Sequence, residues 1–182
     1  MSNRWDNAEE WHAYLAEGNA RQPRKRVAAD VLVRDRAGRI LLVDPTYKPD
    51  WDLPGDMAEA NEAPRVAAER ELREELGLHL AVGAVLCVDW VPPHGPWDDS
   101  LAFVFDGGVA DDRQLQAIHL TDGELRGHRL VHAIDVEALV RPRLWRRIRQ
   151  ALGNLAQPGG LYLEDGAPVG PLPATAPSRA AS

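Results

Sequence analysis

The chain has 182 residues, 45% hydrophobic and 27% charged, with a formal net charge of -7. This length and mixture suit one globular domain with a real core and some tails. The acidic balance argues against general binding to nucleic acid or to an anionic membrane. Cys87 is the only cysteine, which excludes an intrachain disulfide and a cysteine-based zinc site. It lies in an apolar run and reads as a buried, inert thiol. No basic-then-apolar leader opens the chain, and no apolar run approaches the roughly 18 residues of a membrane span. A cytoplasmic protein is expected.

Residues 1–26 read as an N-terminal arm. Trp11, Tyr14 and Leu15 at i, i+3 and i+4 predict a helix over Glu9 to Asn19, stopped by Gly18 and Asn19. The basic run Arg21 to Arg26 follows, either a solvated linker or a contact to phosphate or to a partner's acidic face. Residues 27–157 carry the folded domain. Val27 to Asp35 and Arg39 to Val43 flank a glycine-bearing turn and predict a hairpin. Asp44 to Asp52 reads as loop. Pro64 near a helix start, Asn61 or Glu62 near the cap and Gly77 just past the end predict a helix of about 13 residues. Ala68, Leu72 and Leu76 give it an apolar stripe for packing on a sheet.

Leu78 to Trp90 reads as a long strand, or as two with a break at Gly83. A loop from Val91 to Ser100 follows. Leu101 to Phe105, Gln114 to Leu120 and Arg129 to His132 read as strands, and Arg141 to Leu152 as a helix with Leu144, Ile148 and Leu152 at intervals of four. Residues 158–182 turn to Gly, Pro, Ala and Ser and read as a largely disordered tail. Strands around one central helix, with another helix at the end, give an α/β or α+β sandwich with a helix on each face of the sheet.

The chemistry concentrates between Gly55 and Leu78. Glu71, Glu74 and Glu75 fall at i, i+3 and i+4, so on a helix they share a face. Like charges at that spacing either lie on a solvated face or hold a cation between them. A hard divalent cation such as magnesium suits oxygen ligands of this kind.

Anchored on Arg70-Glu71, the stretch resembles the box of the Nudix hydrolases. Glu62, Arg70, Glu71, Leu72, Glu74, Glu75, Gly77 and Leu78 fill eight of its nine specified positions. Trp51 to Gly55 looks like the usual approach. The ninth position, the first box glycine, falls on Asp56. If the backbone there needs positive φ, Asp is tolerated at some cost. Asn61 stands where glycine is frequent and also visits that region.

The resemblance implies a Nudix-type α/β/α sandwich with a mixed sheet and the box helix packed on it. It implies a Mg2+ site, with Mn2+ as a possible substitute, on Glu71, Glu74, Glu75 and the Gly55 carbonyl. Glu62 and Asp56 support it, and Arg70 orients the carboxylates. The general base is Glu74, Glu75 or a later carboxylate. Glu124 is a candidate base or fourth ligand, or a solvent-exposed loop acid. His128 and His132 read as surface or structural. The implied reaction cleaves a diphosphate linkage in a nucleoside diphosphate derivative, of nucleotide sugar or ADP-ribose type. Nucleoside triphosphates, prenyl diphosphates and a weakly active ligand sensor are the alternatives.

For substrate contacts the candidates are Trp51, Trp97 and Arg26. Trp97 either stacks on a base or caps the core, and Trp51 and Tyr47 share that ambiguity. Asp98 and Asp99 bind metal or sugar hydroxyls, or are plain loop acids. Pro92 and Pro93 match a short marker of ADP-ribose pyrophosphatases or form an ordinary turn. The expected partner is a small-molecule diphosphate, with no membrane and no general nucleic-acid partner. A homodimer through the N-terminal helix follows by analogy alone.

Overall fold

A computed structural model describes residues 7–121 and 123–170. Expectations for residues 1–6, Asp122 and 171–182 lie outside the described residues. Helix α1 (Ala8–Arg21) starts at Asn7, whose side chain accepts from the Glu9 and Glu10 amides, and it buries no residue. Trp11 and Tyr14 stack on each other at 5.6 Å on its surface. Among the described residues no helix is long and apolar enough to cross a membrane.

Strands β1 (Arg26–Arg34) and β2 (Ile40–Pro45) form the expected hairpin. Asp35 builds its turn, accepting from the Ala37 and Arg39 amides at 2.9 and 2.7 Å. The short β3 (Gly55–Met57) leads to α2 (Pro64–Leu76), which begins on Pro64 and ends on Gly77 at φ 64°. Ala63 takes the cap position next to the two residues anticipated there, without a side-chain bond. Then follow β4 (Val85–Val91), β5 (Ser100–Val109), α3 (Asp112–Gln116), β6 (Leu125–Val131), α4 (Ala133–Val136) and α5 (Pro142–Gly153). Strands β7 (Leu161–Glu164) and β8 (Ala167–Pro168) close the sequence of elements.

The sheet is mixed, in the order β6-β2-β1-β5-β4-β7-β8, with β3 against β1. The β1–β5 and β4–β7 pairs are parallel and the rest antiparallel. Helices α2 and α5 cover opposite faces, giving the expected sandwich. Side chains alternate along a strand, and β1 shows the consequence. Ala29, Val31 and Val33 pack with Ala68, Leu72 and Leu76 of α2, whereas Leu32 joins Leu144, Ile148 and Ala151 of α5. Burying a leucine such as Leu72 stabilises by about 1.5–3 kcal/mol.

Three expectations need correcting. Residues 78–84 form no strand; Leu78 and Val82 are buried in the cluster that includes Phe105 of β5, and the backbone of Gly83 and Ala84 bonds to Asp106. Residues 114–120 are not a strand either. Asp111 and Gln114 bond reciprocally in a capping box and start α3. Residues 161–168 are not a disordered tail: β7 pairs with β4 over four registers, from Cys87↔Leu161 to Trp90↔Glu164, and buries Leu163.

Candidate active site

Gly55 opens the site, and its conformation explains the residue. It has φ 129°, and a Cβ there would lie 2.2 Å from the Ala29 carbonyl oxygen and 2.8 Å from Asp30 Cα. Only glycine lets β3 approach β1 this closely. The next position differs from the expectation. Asp56 lies in β3 opposite Ala29 and is absent from the positive-φ residues, so it carries no left-handed strain. Asn61 does adopt positive φ, at 64°.

Helix α2 sets the carboxylates around one cation, Arg70. Its Nε and Nη2 donate to the two oxygens of Glu62, both at 2.9 Å. Its Nη1 donates to Glu71 Oε1 at 2.6 Å and Glu74 Oε2 at 2.8 Å. A fifth, longer bond reaches the Met57 carbonyl at 3.4 Å. Charge-assisted bonds of this fork hold three acids in fixed places. Glu75 points elsewhere: it is buried, and its Oε2 accepts from the Gly55 amide at 3.0 Å.

The electrostatics follow from these bonds. Arg70, with help from the Glu59 amide, pulls the Glu62 carboxyl down to about 2. Arg70 itself is raised, first by Glu62 and then by Glu74 and Glu71. Burial pushes Glu71 up against the opposing pull of Arg70, and the charges of Asp56 and Glu74 push the same way. The donor set is all oxygen, as a hard divalent cation requires. Arg70 occupies oxygens of Glu71 and Glu74 here, and among the described residues no three acidic, histidine or cysteine side chains already converge on an ion.

A cavity of about 580 Å³ adjoins Gly55, Asp56 and Met57 on the α5 side of the sheet. Arg26, Ala28 and Asp30, alternate residues of β1, line it together with Tyr47, Lys48 and Trp51 and the first turns of α5. Arg147 ties its floor together, donating to Asp89 Oδ2 at 3.0 Å and Asp30 Oδ2 at 3.2 Å. The other oxygen of Asp89 accepts from the Gly166 amide at 2.9 Å. Burial outweighs Arg147 and pushes Asp30 up to about 7, the Asp52 charge adding to the rise. Arg143 and Arg146 both hold Asp165, at 2.6 and 2.9 Å.

None of Lys48, Asp30 or the α5 arginines stood out in the sequence. Asp30 and Arg147 are 117 residues apart, so no local spacing marks that pair, whereas Lys48 meets Asp52 only four residues on. The alternation 26, 28, 30 on a cavity face was the one readable signal.

The remaining candidates divide. Trp51 lines the cavity and sits under Arg129, 5.7 Å from its ring. Arg26 lines it too, stacked on Trp97 at 4.7 Å. Trp97 is 56% exposed and so does not cap the core. Tyr47 is exposed at the cavity rim. Asp99 is tied to Lys25 and to the Trp90 indole, while Asp98 is exposed. Glu124 is exposed just before β6, and its carbonyl accepts from the Thr46 amide at 2.7 Å. His128 and His132 are exposed. Cys87 is buried, its thiol pushed up to about 12.

The family model for the NUDIX domain matches residues 24–154. The chain belongs to the Nudix family. Hydrolysis of phosphoric anhydrides is its enzyme class, and the family generally uses divalent metal ions. No curated protein matches the chain. Among solved structures, this Nudix chain resembles the NUDIX domain of Shewanella oneidensis NrtR complexed with ADP ribose, at 18% identity and TM-score 0.65. That match covers 80% of this chain and 98% of the other. A UDP-X diphosphatase gives 17% identity and TM-score 0.64 over 87% of this chain and 76% of its own. The MutT protein of Methanosarcina mazei gives 23% identity and TM-score 0.58 over 74% and 99%. At these identities the likeness shows the fold.

Proposed function

We propose that this chain is a magnesium-dependent pyrophosphohydrolase that cleaves the diphosphate linkage of a nucleoside diphosphate derivative, a nucleotide sugar or an ADP-ribose-type compound. The observation that carries this reading is one juxtaposition. The oxygen cluster gathered by Arg70 meets, across Gly55 and Asp56, a cavity of about 580 Å³ lined by both cationic and acidic side chains, a volume suited to a nucleotide-sized ligand. The UDP-X in the name of the diphosphatase and the ADP ribose bound to the NrtR domain support this class.

Magnesium, or manganese in its place, neutralises charge on non-bridging phosphoryl oxygens and acidifies water. Glu71, Glu74, Glu75 and the Gly55 carbonyl would hold it, with Glu62 and Asp56 in support. Arg70 orients Glu71 and Glu74, and the Gly55 amide orients Glu75. Glu74, with its side chain 55% exposed, is open to solvent and suits the role of proton acceptor for the attacking water. Glu124 is the second candidate for that role. The cavity holds the remainder of the substrate.

The test is a phosphate-release screen over nucleotide sugars, ADP-ribose, dinucleoside polyphosphates, triphosphates and prenyl diphosphates with magnesium. Glu74→Gln or Glu75→Gln should lower turnover by several powers of ten where chemistry limits the rate. Unchanged rates in both variants would overturn the assignment, as would absence of turnover on every compound.

A further inference from the structure

We propose that Arg26 binds a second anionic group of the substrate, a phosphate or a carboxylate remote from the scissile diphosphate. This rests on the cavity being the substrate pocket of the reaction proposed above.

Six cations line the cavity, and five of them already face a carboxylate: Lys48 with Asp52, Arg141 with Asp50, Arg143 and Arg146 with Asp165, and Arg147 with Asp30 and Asp89. Arg26 alone has no carboxylate partner among the described residues. Its Nε is fully shielded and makes no hydrogen bond. The half-buried guanidinium lacks the counter-charge that the other five cations have, and an anion arriving at its terminal nitrogens supplies one.

Arg26 is also held in advance. Its guanidinium lies on the Trp97 ring at 4.7 Å. Trp97 is in turn pinned by two bonds with His94, both backbone amide to carbonyl at 3.0 Å. The Arg26 backbone is registered against Ser100 in β5. A guanidinium fixed this way loses little freedom on binding, and its fork matches a two-oxygen anion. A nucleobase stacked on the other face would bring no counter-charge to the one cavity cation that lacks a carboxylate, so an anion fits better than a base.

The position sets which part of the substrate is meant. Asp30 pairs with Gly55 across the β1–β3 ladder, next to the carboxylate cluster. Arg26 lies four residues back on the same strand face, about 13 Å away at 3.3 Å per residue. A diphosphate near Gly55 does not span that distance, but a diphosphate with an attached sugar does.

The experiment compares matched ligands on the full chain. UDP-glucose against UDP-glucuronate adds a carboxylate, and ADP-ribose against its 2′-phosphate adds a phosphate. Dissociation constants come from calorimetry without divalent cation, so no hydrolysis intervenes, and kcat/KM comes from parallel assays with magnesium. In at least one pair the acid-bearing ligand should bind about tenfold tighter or better, about 1.4 kcal/mol. Arg26→Met should bring that ratio to about one, Arg26→Lys should keep part of it, and Trp97→Leu should reduce it. Equal binding within both pairs, no binding of either acid-bearing ligand, or a ratio unmoved in Arg26→Met overturns the proposal. If no compound is turned over with magnesium while the binding ratio behaves as stated, the proposed reaction fails and the anion site stands.

Discussion

Replacing Gly55 with alanine tests the idea that close approach of β3 to β1 shapes the site. The new Cβ would lie 2.2 Å from the Ala29 carbonyl oxygen and 2.8 Å from Asp30 Cα. Both atoms are backbone of a central strand, so neither swings aside. At φ 129° the residue also sits where side chains are strained. The strain is worth about 1–3 kcal/mol and the overpacking about 1–3 kcal/mol. Moving β3 away also strips the Gly55 amide from the Glu75 carboxylate, a charged hydrogen bond worth about 1.5–3 kcal/mol. Relaxation shares these costs, and a total of about 3–6 kcal/mol is expected. At roughly 2–4 °C per kcal/mol, the melting temperature falls by about 6–24 °C. Thermal and urea unfolding followed by circular dichroism measure this. Asp56→Gly is the control and should shift stability by less than about 1 kcal/mol, because Asp56 is extended. A Gly55→Ala protein melting within about 2 °C of wild type, or an Asp56→Gly protein gaining several kcal/mol, refutes the reasoning.

Asp30→Asn should change the pH dependence of stability. Burial raises the folded Asp30 to about 7, so the folded state keeps its proton while the unfolded chain loses its own near pH 4. Wild type therefore loses stability as pH rises from about 4 to 7, and the non-titrating variant should gain relative to it over that window. A constant gap between the melting curves would refute this. Ending the chain at Gly160 removes β7 and β8. Leu163 burial and the Gly166–Asp89 bond are lost, costing about 3–5 kcal/mol in urea unfolding; a loss below about 1 kcal/mol would show that the hairpin is not structural. Arg70→Met leaves Glu62, Glu71 and Glu74 without their common donor. Its melting temperature should fall in a chelator and recover with magnesium by more than wild type shifts, and equal shifts in the two proteins would contradict the metal assignment.

Local punctuation explains what the sequence disclosed. Pro64, Gly77 and the apolar stripe bound α2 to the residue at its C-terminal end, and the Asp35-to-Arg39 turn marked the hairpin. Leu78 to Ala84 has strand composition, yet its apolar side chains are buried by packing without a ladder. The Asp111–Gln114 capping signal before α3 was present and outranked by hydrophobicity. Leu161 and Leu163 alternate between Gly160 and Gly166, but prolines and glycines nearby masked a strand that pairs with the distant β4. At the site, the box residues were legible because one helix and one loop carry them. The cavity was not, since its charged pairs join β1, β4, α5 and the β7–β8 turn.

The alternation along β1 separates two tasks that could otherwise interfere. Positions 29, 31 and 33 seat the box helix, and positions 26, 28 and 30 face the cavity. Exchanges at the second set can reshape what the pocket accepts while the carboxylate scaffold on the opposite face stays in place. Ligand preference should therefore drift readily among relatives that share this strand. A single-residue insertion within β1 would have the opposite effect, trading the two faces and destroying both functions at once.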